Sequence, residues 1–86
     1  MNIQNIGKIN QVVDEYFSNN PNVDKVLAKD LMPLFIEAGI FTQDQRNGLP
    51  IRQVLRELDS ENKLDLLPCA YPERKKVNTN WYFVRK

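Results

Sequence analysis

GLPIRQVLRELDSENKL, Gly48 to Leu64, carries Leu49, Ile51, Val54, Leu55 and Leu58 near one stripe at the three-and-four spacing of an amphipathic helix. Arg52, Gln53 and Arg56 point the other way, and the two arginines are one helical turn apart. Asn47 or Gly48 suits the cap at the start. Pro50 is tolerated because first-turn amides have no partner inside the helix. Asn62 accepts left-handed geometry and suits the end. The stretch therefore predicts a helix over about 48–62 with an apolar back and a front of fork-shaped hydrogen-bond donors. Such a front suits contact with a nucleic acid, and it is equally the form of an ordinary solvated face.

On the C-terminal side, Leu64, Asp65, Leu66 and Leu67 predict the start of a strand that Cys69, Ala70 and Tyr71 continue. Pro68 restricts that strand to an edge, because proline cannot donate a ladder hydrogen bond. Trp81, Tyr82, Phe83 and Val84 are the strongest strand pattern in the chain. Residues 72–80 are then the loop or hairpin tip between the two strands.

On the N-terminal side, Phe41 to Asn47 is a polar connector, and Thr42 with Gln45 has the spacing of a capping box for one helical turn. Asp30 is placed to cap a helix whose stripe is Leu31, Leu34, Phe35 and Ala38, with Pro33 in its first turn. Gly39 is its expected left-handed stop, with Ile40 making the hydrophobic contact that follows such a cap. Val26, Leu27 and Ala28 form either a brief strand or the opening of that helix. The first segment, about Asn2 to Asn19, carries Ile6, Ile9, Val13, Tyr16 and Phe17 at helical spacing, with Ile3 and Val12 near the edges. Ser18 to Pro21 stops it. Its stripe packs across the domain or forms a dimer contact.

A chain of 86 residues points to a single domain over 1–86. At this size about 60% of the unfolded surface is buried, enough for a modest core. A hydrophobic fraction of 42% is ordinary for a globular domain. No apolar run approaches the roughly 18 residues of a membrane span. MNIQNIGKIN lacks the cationic start and apolar run of a signal peptide, and Cys69 is the only cysteine, so the expected location is the cytoplasm. The formal net charge is +1, but its distribution is uneven. Met1 to Ala70 holds seven Lys/Arg against ten Asp/Glu, whereas Tyr71 to Lys86 holds five against one.

Helix, brief strand, helix, connector, helix and two-stranded hairpin: this order resembles the winged helix-turn-helix superfamily. The resemblance covers about Val26 to Arg85, with the first helix as the usual N-terminal partner, and rests on the order of elements. It implies an α+β fold of three main helices and a C-terminal two-stranded β-hairpin wing. It also implies that the third helix enters the DNA major groove and the wing lies near the backbone or minor groove. By that resemblance Arg52, Gln53 and Arg56 face the groove, and Arg74, Lys75 and Lys76 sit on the wing. The connector from Gly39 to Asn47 departs from the family by exceeding the three-to-four-residue turn of a standard helix-turn-helix.

The side chains suit that role. Arginine can donate two bonds to guanine, and glutamine can pair in the same way with adenine, at about 1–3 kcal/mol of discrimination per contact. Glu57, Asp59 and Glu61 follow on the same helix and repel phosphates, so only its first two turns can approach DNA. The bland alternative is that Arg52 and Arg56 are a solvated face paired with those acids. On the wing, Arg74, Lys75 and Lys76 are flanked by Asn78, Thr79 and Asn80, and long cations with short amides suit phosphate contact. The alternative there is a charged tip that protects a sheet edge from aggregation. Trp81, Tyr82 and Phe83 form either a stacking platform for bases or, by alternation, a strand with Trp81 and Phe83 inside and Tyr82 outside.

Catalysis finds no footing. The chain has no histidine, so the commonest general base is absent, and one cysteine without histidine makes neither a zinc site nor a Cys–His pair. The three glycines are isolated, and Asp14-Glu15 fits a solvated helix face. The chain is expected to be no enzyme and to use no cofactor or metal. The leading expectation is a monomeric double-stranded DNA-binding domain, in transcription regulation or a mobile-element process. The rival is a winged-helix protein–protein interaction module within a larger assembly, which the near-neutral charge favours. A third is an accessory subunit of a DNA-processing enzyme.

Overall fold

The first helix, α1, spans Ile3–Asn19 and buries Ile6, Ile9, Val13 and Phe17 along one stripe, as the spacing predicts. The computed structural model describes residues 3–85, and side chains from residue 5; the expected start at Asn2 and the Ile3 side chain lie outside the described residues. Asn20 ends α1 by donating from its side-chain amide to the Tyr16 carbonyl at 2.7 Å. Strand β1 follows at Lys25–Leu27 and runs directly into a 3-10 turn at Ala28–Leu31, so both readings of this step hold.

Helix α2 spans Met32–Glu37. Asp30 does not cap it. The 3-10 turn continues into the helix, the Met32 amide already bonds the Lys29 carbonyl, and Leu31 occupies the cap position without a side-chain bond. At the other end Gly39, with φ of 80°, makes a Schellman stop. Its amide bonds the Ile36 carbonyl and the Ile40 amide bonds the Phe35 carbonyl, both at 2.9 Å.

The connector forms no helical turn, which corrects the capping-box expectation for Thr42 and Gln45. Asp44 is the residue that acts there, its Oδ1 accepting from the Gly48 amide at 2.8 Å. Helix α3 then spans Leu49–Ser60 and buries Ile51, Val54, Leu55 and Leu58. Asn62, with φ of 58°, closes it by a second Schellman arrangement in which the Lys63 amide bonds the Leu58 carbonyl at 2.8 Å.

Leu64 to Leu67 is not a strand. The chain leaving that cap curls into a 3-10 turn at Leu64–Leu66, which buries Leu67 and leaves Leu66 exposed. The Leu66 carbonyl accepts from Asn10 Nδ2 at 2.9 Å, which ties the turn to α1. Strand β2 begins only at Ala70 and ends at Arg74, and β3 spans Thr79–Val84. The hairpin tip is therefore residues 75–78, shorter than the expected 72–80, and Arg74 and Asn80 belong to the strands.

The expected two-stranded hairpin is a three-stranded antiparallel sheet in the order β1-β3-β2. Strand β1 pairs with β3 through Lys25↔Val84, Val26↔Phe83 and Leu27↔Tyr82. Pro72 sits on the edge strand β2, where proline belongs. Strand alternation puts Trp81 and Phe83 inside, together with Val26, Ala70 and Pro72 across the register. Tyr82, Tyr71, Leu27 and Glu73 take the other face. The described residues thus form a small α+β domain of three helices and one sheet. Its core joins α1, α2, α3 and β3 through Ile9, Phe35, Leu55 and Phe83, with Phe35 and Phe83 edge to face at 6.0 Å between centroids. Each such fully buried side chain contributes about 1.5–3 kcal/mol of transfer free energy.

Candidate nucleic-acid interface

The segment entering α3 shapes the site. Arg46, Asn47 and Gly48 take φ values of 49°, 52° and 92°, three successive left-handed residues. Only glycine fits at the third. A Cβ on Gly48 would overlap the Lys29 side chain and come 2.8 Å from Lys29 Cα. The close approach brings Lys29 beside Arg46 and Asn47. Arg52 reinforces the turn by donating from Nη2 to the Arg46 carbonyl at 2.6 Å, while its Nε is buried with no hydrogen-bond partner.

An open groove of about 1050 Å³ runs between this turn, α3 and the hairpin. Four cations line it: Lys29, Arg46, Arg52 and Arg56. Asn47, Asn78, Thr79 and Asn80 supply short polar side chains, and Tyr82 lies at one side. Among the described residues Asp59 is the only acid of the lining, and Arg74 neutralises it with a two-pronged bond at 2.8 and 3.0 Å. The hydrogen bond from Arg74 is the main reason the Asp59 carboxyl lies below its ordinary range; partial burial opposes the shift and the guanidinium charge adds to it. The same bond raises Arg74 above the usual arginine value.

The groove thus gathers Arg52, Arg56, Asn78 and Asn80 from the residues expected to bind. Gln53 is exposed on α3 but outside the lining. Arg74 spans from β2 to α3 and holds the hairpin against the helix. Lys75 pairs with Glu73 at 3.7 Å, and its amide closes the tip by bonding the Asn78 carbonyl at 2.8 Å. Lys76 is exposed at the tip. Lys29, Arg46 and Asn47 are not among the binding residues expected from sequence, where Asn47 figures only as a helix cap. The Asn47-Gly48 pair marks a turn, but nothing local shows that the turn closes on Lys29.

Among the described residues no cluster of His, Cys, Asp and Glu could hold a metal ion, and no helix is long and apolar enough to cross a membrane. Fold and groove together define a small α+β domain with an open cationic cleft between a helix and a hairpin. Neither a protein-family model, nor a curated protein, nor a solved structure matches the chain.

Proposed function

We propose that this chain is a winged-helix domain that binds double-stranded DNA, with α3 toward the major groove and the β2–β3 hairpin along the backbone or minor groove. The order of elements and the sheet order β1-β3-β2 support the winged-helix reading. The observation that carries the DNA reading is the convergence of Lys29, Arg46, Arg52 and Arg56 on one groove whose single acid is already paired. Oxygen-rich phosphates fit such a lining, and the amides of Asn47, Asn78 and Asn80 add directional donors. Arg56, exposed one turn beyond Arg52, is the side chain best placed to reach a base edge. Arg52 is bound to the turn and acts by holding it.

Duplex binding titrated against salt tests this. Three to five phosphate contacts give a slope of log affinity against log salt of about −3 to −4.5. Replacing Lys29 and Arg46 together by glutamine flattens the slope by up to about 1.8 and weakens all sequences alike. Absence of duplex binding at low salt and near-millimolar protein overturns the proposal.

One observation favours the rival interaction module. A second cleft of about 510 Å³ between α1 and α2 is floored by Val12, Tyr16 and Leu34 and rimmed by Glu15 and Glu37. Its chemistry suits a basic amphipathic segment, and that reading takes over if duplex binding is absent.

A further inference from the structure

The solvent face of the sheet carries an aromatic pair that the duplex reading does not use. Tyr71 on β2 stands directly across from Tyr82 on β3, with ring centroids 6.5 Å apart and planes at 62°. Lys25 on β1 reaches over both, its Nζ 4.2 Å from the Tyr82 centroid and 5.2 Å from that of Tyr71. Tyr71 is 44% exposed, one of only three large apolar side chains so open among the described residues. Tyr82 also lines the cationic groove, so the pair begins where the groove ends.

We infer that Tyr71 and Tyr82, with Lys25 above them, form a stacking platform for an unpaired base, so that the preferred ligand is a duplex carrying a single-stranded extension. The inference rests on the duplex-binding reading of the adjoining groove and adds the class of substrate. Every base has a π face, so an open tyrosine accepts any of them. The ammonium of Lys25 covers the ring faces in the free protein; a base that stacks displaces it, and it is then free to pair with the phosphate of that nucleotide. Glu73 pairs with Lys25 at 3.7 Å, and with Lys75 at the same distance, so its charge is balanced by two lysines. A protein partner is the weaker fit. One exposed ring beside a lysine is nucleobase-sized, short of the roughly 800 Å² per side of a standard interface.

The test compares a blunt duplex with the same duplex bearing a short extension whose first unpaired position is a fluorescent purine analogue quenched by stacking. The extension should raise wild-type affinity by about 5- to 150-fold, the range of one base–aromatic stack, and quench the analogue. Tyr71→Ala should erase the gain and the quenching while keeping blunt-duplex affinity. Tyr71→Phe, which preserves the ring on the edge strand, should retain both, and Lys25→Gln should reduce the gain with both rings in place. Equal wild-type binding of the two ligands without quenching overturns this inference alone. Failure to bind either ligand overturns it together with the duplex reading.

Discussion

Gly48 and Gly39 both take left-handed backbone, yet their substitutions should differ. A Cβ on Gly39 meets nothing within 4 Å, so Gly39→Ala bears only the conformational penalty, about 1–2 kcal/mol. Gly48→Ala adds a collision with the Lys29 backbone and should cost more, about 3 kcal/mol or above, measured by denaturant unfolding. It should also separate Lys29 from Arg46 and weaken duplex binding, which Gly39→Ala leaves intact. At this scale Gly39 and Asn62 were legible as helix stops because a Schellman stop is local chemistry, written within a few residues. Lys29 was not, because its place in the groove depends on a contact with Gly48 that no local pattern records. Arg74 was legible as a cation but not as the partner of Asp59, since that bond joins a strand to a helix through the tertiary fold.

Between elements, the Arg74–Asp59 pair is the tether that holds the hairpin to α3, and its pH dependence follows from the depressed Asp59 pKa. The bond is fully present above the ordinary carboxylate value near 3.8 and is lost as pH falls through the lower folded value. The difference in thermal midpoint between wild type and Asp59→Asn should therefore be constant from neutrality to about pH 5 and shrink below about pH 4. The difference itself is small, because exposed pairs contribute little. The same variant frees Arg74 beside the groove and removes its acid, so the salt slope of duplex binding should steepen by about 0.9. Sequence placed α1, α2, α3 and β3, each marked by an apolar periodicity or a local stop such as Gly39, and it offered the brief strand that became β1. What it missed among the short pieces has a common reason. Leu64 to Leu67 is apolar enough for a strand, but the Asn62 cap and the Asn10 bond curl it into a turn. The pairing of β1 with β3 joins three residues to a distant strand, and a three-residue segment carries no rhythm from which to infer it.

Across the whole molecule, a net charge of +1 conceals a separation of charge. The groove between α3 and the hairpin is lined by four cations, while the α1–α2 cleft, which shares no residue with it, is rimmed by Glu15 and Glu37. The body measures 33 × 28 × 24 Å. The Debye length is about 8 Å at physiological salt and about 30 Å at 0.01 M, so the two faces ignore each other in the first condition and interact in the second. Glu15→Gln with Glu37→Gln should then leave duplex affinity unchanged near 0.15 M salt and raise it a few-fold near 0.01 M. Removing Lys29 and Arg46 should weaken binding at both concentrations, because in the proposed complex those cations contact the phosphates directly. A double acid variant that alters affinity equally at both salts would place the α1–α2 face against the ligand. The acid rim would then be part of the interface, and the orientation with α3 and the hairpin toward DNA would be wrong.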